Sequence, residues 1–362
     1  DANKKGMGID EKRILIVRLS SLGDIVLTTL LSRILRKTYP DARLGFLTKA
    51  MYRDILDSIE HLDDRYSLAL GRHSQKEQIR SLREGGWTTV IDLQNNLRSR
   101  SLVNALGVRE VYRFHRARVN RLIRIYFPVL RKRISTPKSV ALQYLACTSG
   151  LGLNDDGLGL ELKPTAVAVE QSQYSLMDYH YSIDVLPETR PIVIAPGALH
   201  PTKMWLPERW AETLSALHSD GWHSQVIIGS VSDLETAGRI ICQISHPILN
   251  LCGKMGVADV IAIIASADIF ISGDSGPMHI AAAVQAPSVS IFGPTVPEFG
   301  FAPFRAPNVI VQTPDLNCRP CASHGSNHCP RRHFRCMKDI PAKTVVNEVR
   351  KLASSQVERL KF

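Results

Sequence analysis

Short runs of apolar, mostly β-branched residues alternate along this chain with stretches whose apolar positions recur every three or four residues. Residues 14–17 form such a run and predict a buried strand. Gly23 and Asp24 punctuate it, and Ile25, Val26, Thr29, Leu30 and Ile34 then follow at helical spacing. Residues 44–48 and 87–93 predict two more strands, the second after a charged helix closed by Gly85 and Gly86. Residues 178–191 mix Tyr, Pro, Asp and Glu without a period and read as a linker. The rhythm then restarts, with predicted strands at 192–195, 225–228, 268–272 and 288–292. Helices are predicted at 208–219, with Trp210, Leu214 and Leu217 on one face, and at 257–265 and 277–284. This alternation predicts an α/β protein of parallel sheets covered by helices. Two domains are expected, at 12–177 and 191–340, with a terminal helix within 341–362.

Composition adds the kind of partner. The net charge of +11 calls for something anionic: nucleic acid, acidic lipid or a phosphorylated sugar. Much of the charge lies in 109–133, where Arg109, Arg113, Arg116, Arg118, Arg121, Arg124, Arg131, Lys132 and Arg133 face a single acid, Glu110. Tyr112, Phe114, Tyr126 and Phe127 are interleaved. The stretch reads either as a solvated basic face or as an anion-binding surface. Aromatics between arginines can stack bases, but no nucleic-acid motif is present, so no nucleic-acid partner is expected. No apolar run reaches the ~18 residues of a membrane span, and no secretory signal precedes the first strand, so a cytoplasmic protein is expected. Cys147, Cys242 and Cys252 are scattered singly, which argues against a secreted disulfide framework.

Three loops at predicted strand ends carry chemistry, which is where open parallel sheets bind ligands. In Arg18-Leu-Ser-Ser-Leu-Gly-Asp24, Gly23 permits a tight bend, and Asp24 is either a helix cap or a catalytic carboxylate. In Pro196-Gly197-Ala-Leu-His-Pro-Thr-Lys203-Met-Trp205, the lysine is either a phosphate clamp or a surface residue. In Ser272-Gly-Asp-Ser-Gly-Pro-Met-His279, approachable backbone N–H groups open a helix whose positive end suits an anion. Neither a dinucleotide G-x-G-x-x-G nor a Walker A loop occurs.

Taken in this order with Ile291-Phe-Gly-Pro-Thr295, these loops resemble the bacterial heptosyltransferases of glycosyltransferase family 9. The likeness runs from about Arg13 to about Val349, and 293–303 looks closer to the heptosyltransferase II-like branch. The resemblance implies the GT-B fold, two Rossmann-like domains facing across a cleft, with acceptor on the first and nucleotide sugar on the second. It also implies that the final helix crosses back onto the first domain. The reaction implied is an inverting transfer of heptose from ADP-heptose to the lipopolysaccharide inner core, or to a lipid A-linked acceptor at the inner membrane face. Asp24 matches the catalytic base and Lys203 the lysine that neutralises the diphosphate. Asp274, Ser275, Gly276 and His279 match groups around donor sugar and phosphates, Met255 the adenine contact, and Asp233 or Glu235 the ribose acid. Ala198 and Leu199 stand where some members carry hydroxyls, leaving backbone N–H groups from Gly197 onward to serve. Arg18, Ser21, Asn95, Asn96, Arg98, Arg116, Arg118 and Arg121 are the expected acceptor contacts. An epimerase-like enzyme, or a transferase with another nucleotide sugar, is the alternative on the same fold.

No Asp-x-Asp pair suits a divalent ion in the donor loops, so no catalytic cofactor is expected. Cys318, Cys321, Cys329 and Cys336 fall in a segment rich in Pro, Gly, Arg and His. Their spacing, C-x2-C-x7-C-x6-C, allows a structural zinc or iron, with His324, His328 and His333 as substitutes for one sulfur. Reduced thiols or adventitious disulfides are the alternatives. If metal is present, its removal is expected to loosen the segment without abolishing ADP binding, since these ligands lie outside the donor loops.

Overall fold

The computed structural model describes residues 12–68, 72–115, 118–133 and 135–359. Arg116 lies outside these residues, as does the side chain of Arg118. Two compact units emerge: 1–116 with 141–158, and 117–140 with 159–362.

In the first unit, β1 (Arg13–Val17) leads through α1 (Leu22–Val26) and α2 (Thr29–Thr38) to β2 (Arg43–Lys49) and β3 (Asp64–Leu68). Next come α3 (Arg72–Glu84), β4 (Thr89–Asp92), α4 (Leu97–Leu106) and β5 (Glu110–Arg113). The segment with α5 (Arg118–Tyr126) belongs to the second unit, and α6 (Val140–Ala146) returns the chain to the first. The sheet order is β3-β2-β1-β4-β5, all parallel. Ile14 pairs with Leu44 on one side and Thr89 on the other. Strands covered on both faces must be apolar throughout, and Ile14 to Val17 are fully buried.

The second unit runs α7 (Ala166–Ser182), β6 (Ile192–Ala195), α8 (Pro207–Ser219), β7 (Gln225–Ile227), α9 (Leu234–Ile241), β8 (Leu249–Asn250) and α10 (Val257–Ser266). It continues with β9 (Ile269–Gly273), α11 (Gly276–Ala283), β10 (Ser288–Phe292), β11 (Asn308–Gln312), α12 (Arg335–Lys338) and α13 (Ala342–Arg359). Its parallel sheet has the order β11-β10-β9-β6-β7-β8. In each sheet the strand order reverses beside the first strand, between β1 and β4 and between β6 and β9. The loops leaving those strands therefore converge, which is the usual ligand position in such sheets.

Two expectations are corrected. Residues 178–182 are not linker but the last turns of α7. Leu176, Tyr179 and His180 sit at helical spacing and are buried, and the His180 ring lies 2.6 Å from Ser224 Oγ. The terminal helix, over its described length, packs within the second unit. Val345, Val346, Val349 and Leu352 form an apolar stripe that joins the core around Trp205 and Trp210. Arg350 also pairs with Asp220 at the end of α8, at 2.8 Å.

Candidate active site

The β1–α1 loop holds Asp24 from several sides. Arg18 is fully buried, yet its Nη2 is 2.6 Å from Asp24 Oδ2. Its Nε and Nη1 donate to the carbonyls of Ser20 (2.8 Å) and Leu93 (2.5 Å), so the buried cation is held by two carbonyls and one carboxylate. Ser21 donates to the same carboxylate oxygen from N (3.2 Å) and Oγ (3.0 Å), the capping arrangement of a short helix. Tyr144, buried on α6, donates to Oδ1 at 3.1 Å. Burial first, and then the charge of Asp24, push the Tyr52 phenol up. Asp24 thus belongs to the capping box of its helix and keeps 15% of its side chain exposed. The cap and catalytic readings are compatible in one residue.

The β4–α4 loop lies alongside. Gln94 Oε1 accepts from the N–H groups of Leu19 (3.1 Å) and Ser20 (3.2 Å), tying the two loops together. Asn96 caps α4 by accepting from Ser99 N at 2.9 Å. Asn95 bonds Phe114 O (2.8 Å) and Arg100 (2.7 Å). Both amides are therefore engaged within the unit, whereas Arg98 is exposed.

In the second unit, Lys203 and Asp274 meet from the loops after β6 and β9. Nζ is 2.7 Å from Asp274 Oδ2 and donates to the Asp274 carbonyl at 3.1 Å. Two of three ammonium hydrogens are thereby engaged. Thr295 Oγ1 donates to the same Asp274 oxygen at 2.6 Å, holding the carboxylate from the β10 side. Ser275 is the N-cap of α11, and its hydroxyl is buried with no hydrogen-bond partner among the described residues. His279, one turn along, is buried, and its ring meets Phe301 edge-on at 6.4 Å. A lysine, helix-start N–H groups and an unsatisfied hydroxyl make a site for an anion.

The ribose-acid alternatives separate. Asp233 accepts from Ser230 N and Oγ, both at 2.7 Å, and lies against Gly197, where a Cβ would meet its Oδ1 at 2.1 Å. Glu235 is exposed in the first turn of α9. Met255 is half-buried in the turn after β8.

Arg121 belongs to the second unit, not to the body carrying Asp24. Its guanidinium stands 4.8 Å over the Phe301 ring.

The cysteine segment bears directly on the donor loop. Thr202 Oγ1 donates to Ser326 O (2.7 Å) and accepts from Ser326 N (2.8 Å), and Thr202 N donates to Ser326 O (3.2 Å). Gly325, at a φ of +91°, faces His200 and Lys203, and a Cβ there would come within 3.1 Å of Lys203 Cγ. Buried Arg319 donates to the carbonyls of Phe292 (3.1 Å), Gly293, Thr295 (2.9 Å) and Thr313 (2.9 Å). The segment that carries the cysteines thus hydrogen-bonds the loop that carries Lys203, while the cysteines themselves lie outside that loop. Neither Thr202–Ser326 nor Tyr144–Asp24 had a sequence signal, because each joins residues more than a hundred positions apart.

All four clustered cysteines are free thiols. Among the described residues, no three His, Cys, Asp or Glu side chains are gathered as a metal-holding group. The sulfurs are nevertheless near enough to act on one another. Burial pushes the Cys336 thiol up to about 12, and the charges of Cys321, Cys329 and Cys318 act in the same direction. Cys318 Sγ lies 3.7 Å from His333 Nε2.

A family model described as glycosyltransferase family 9 (heptosyltransferase) matches residues 76–330. Lipopolysaccharide heptosyltransferase 2 of Salmonella typhimurium is 26% identical over 295 residues, covering 76% of this chain and 81% of that protein. Among solved structures, a family 9 glycosyl transferase from Veillonella parvula superposes with a TM-score of 0.77 at 20% identity, covering 96% of this chain and 99% of that one. The Escherichia coli ADP-heptose lipopolysaccharide heptosyltransferase II gives 0.73 at 20% identity, covering 95% and 99%. These likenesses bear on the fold, and two Rossmann-like units of this kind are the GT-B fold.

Proposed function

The chain belongs to glycosyltransferase family 9, the heptosyltransferases, and on that premise we propose that it moves heptose from ADP-heptose onto the lipopolysaccharide inner core. The hold of Asp274 on Lys203, next in the chain to the buried Ser275 hydroxyl that has no hydrogen-bond partner among the described residues, carries this reading. It is a cradle for a diphosphate. Gly197, Asp233 and Met255 flank the same loops and suit the nucleoside, with Asp233 favoured over Glu235 because it packs on Gly197.

In the reaction, an acceptor hydroxyl attacks the anomeric carbon opposite the diphosphate. The bond from that carbon to the phosphate oxygen breaks, and ADP departs with the bonding electrons. The hydroxyl proton passes to Asp24, whose orientation Arg18, Ser21 and Tyr144 set. Lys203 and the N–H groups from Gly276 to His279 receive the charge that develops on the leaving group. Asp274 keeps Lys203 in position before the donor arrives.

The acceptor is a lipid-linked oligosaccharide, so the enzyme works at the cytoplasmic face of the inner membrane. No described helix is long and apolar enough to cross a bilayer, consistent with peripheral action. The four clustered cysteines, which are not gathered as a metal-holding group among the described residues, would have to draw together to hold a structural zinc or iron, and that would steady the turn against Lys203. Thiolate sulfurs are suited to a soft cation of this kind. Metal analysis of reduced, chelator-free protein near zero, with four alkylatable thiols in the folded chain, would remove this element.

The test of the central reading is calorimetry with ADP, followed by turnover with ADP-heptose and a truncated lipopolysaccharide. Asp24→Asn should keep ADP affinity and lose about 10²–10⁴ in turnover. Lys203→Ala should weaken ADP by about 10- to 100-fold, the usual range for a charged hydrogen bond. Unchanged ADP affinity in Lys203→Ala, or near-normal turnover in Asp24→Asn, refutes the corresponding role.

A further inference from the structure

The segment around α5 is amphipathic the wrong way round. Val119, Leu122 and Tyr126 fall at i, i+3 and i+7, one stripe of the helix, and are 68%, 50% and 70% exposed. Phe127 and Val129 extend the stripe at 57% and 83%. Arg121, Arg124 and Arg131 meanwhile turn to the protein. Arg124 is buried and donates to Ser135 O at 3.2 Å. Arg121 lies over Phe301, and Arg131 reaches the carbonyls of Arg124 (2.6 Å) and Asn317 (2.9 Å). A contiguous apolar stripe left in water is costly, and such patches mark a surface that something covers.

The surrounding charge says what covers it. Between Glu110 and Asp155 the sequence contains no acidic residue, while 118–138 holds seven lysines and arginines. A second copy of this chain would bring two cationic surfaces together without an acid to offset them. An anionic lipid surface complements both features: its headgroups take the exposed cations Arg133 and Lys138 and its acyl boundary takes the aliphatic and aromatic side chains. Tyr126 and Phe127 at the end of α5 are of the type that settles at that boundary.

We propose that Val119, Leu122, Tyr126, Phe127 and Val129 form a membrane-docking surface that inserts shallowly into an anionic lipid leaflet. It deepens the reading of a lipid-linked acceptor, because a docked enzyme would meet that acceptor where it is embedded. The basic stretch thus acts through its apolar residues, with much of its charge holding the segment against the second unit.

The experiment is sedimentation with phosphatidylcholine vesicles and with phosphatidylcholine–phosphatidylglycerol vesicles, using the whole chain. The wild type should bind the anionic vesicles and bind the neutral ones far more weakly. L122S combined with F127S should lose about tenfold or more in partitioning, with ADP affinity unchanged. F127W adds a second readout, a blue shift of tryptophan emission on anionic vesicles alone. Turnover should fall on vesicle-embedded acceptor and hold on detergent-dispersed acceptor. Wild type that ignores anionic vesicles, a double variant that binds like wild type, or an unshifted F127W overturns the proposal. Self-association that the double variant abolishes assigns the stripe to a second copy instead and also overturns it. Vesicle binding without any heptose transfer would leave the docking surface standing and fault the proposed reaction.

Discussion

Thr202→Val probes how Lys203 is held. Thr202 is 4% exposed, and valine keeps its shape while removing the hydroxyl bonds to Ser326 O and N. The backbone bond from Thr202 N to Ser326 O, at 3.2 Å, remains. Losing the hydroxyl should loosen the 325–326 turn by about 1–2 kcal/mol, since Ser326 N is only partly buried and water recovers some of the loss. Gly325 rests against the lysine stem, so part of this reaches Nζ. The upper limit is the ~2 kcal/mol of rotamer freedom in a lysine, about 30-fold in affinity. Asp274 still grips Nζ at 2.7 Å, so the effect should be smaller, about 3- to 10-fold weaker ADP binding. The assay is an ADP calorimetry cycle over Thr202→Val, Lys203→Ala and the double variant. If Thr202 acts through the lysine, its effect disappears once the lysine is gone, giving a coupling of about 0.7 kcal/mol or more. Additivity within about 0.3–0.5 kcal/mol, or unchanged ADP affinity in Thr202→Val while Lys203→Ala weakens it, would refute the reasoning.

Gly197→Ala should destabilise the protein by about 1–3 kcal/mol and weaken ADP, because the new Cβ meets Asp233 Oδ1 at 2.1 Å. Adding Asp233→Ala should restore thermal stability but not ADP affinity; a single variant as stable as wild type would contradict this. His218 and His246, stacked at 4.0 Å, both have their pKa lowered, first by burial and then by neighbouring imidazoles. His223 and Gln225 are the other side chains recorded against them, with His246 Nε2 2.9 Å from Gln225 Oε1. A folded-state pKa below the unfolded value of about 6.5 means that the unfolded chain takes up protons first, so this stability is complete above about pH 6.5 and is lost as pH falls below it. Urea midpoints at about pH 7.5 and 5.5 should differ less in His246→Gln than in wild type, and an equal difference would exclude the pair as a source.

The sequence alone determined the α/β architecture and the central strands, since residues buried on both faces of a parallel sheet must form unbroken apolar runs. It also placed Asp24, Lys203 and Asp274 at strand ends, because a turn glycine, a helix start and a charged residue leave a local pattern. Outer strands such as β3, Asp64-Arg-Tyr-Ser-Leu68, carried no such run, being only half covered. Only tertiary structure decided that residues 178–182 are helical, since their period shows once Tyr179 and His180 have a core to enter. It alone turned Arg124 and Arg131 inward, because backbone carbonyls at Ser135 and Asn317 were there to receive them. It alone joined Tyr144 to Asp24 and Ser326 to Thr202. Such contacts depend on where distant segments meet in space, and a hydroxyl's own neighbours in the chain record nothing of the partner that folding brings to it.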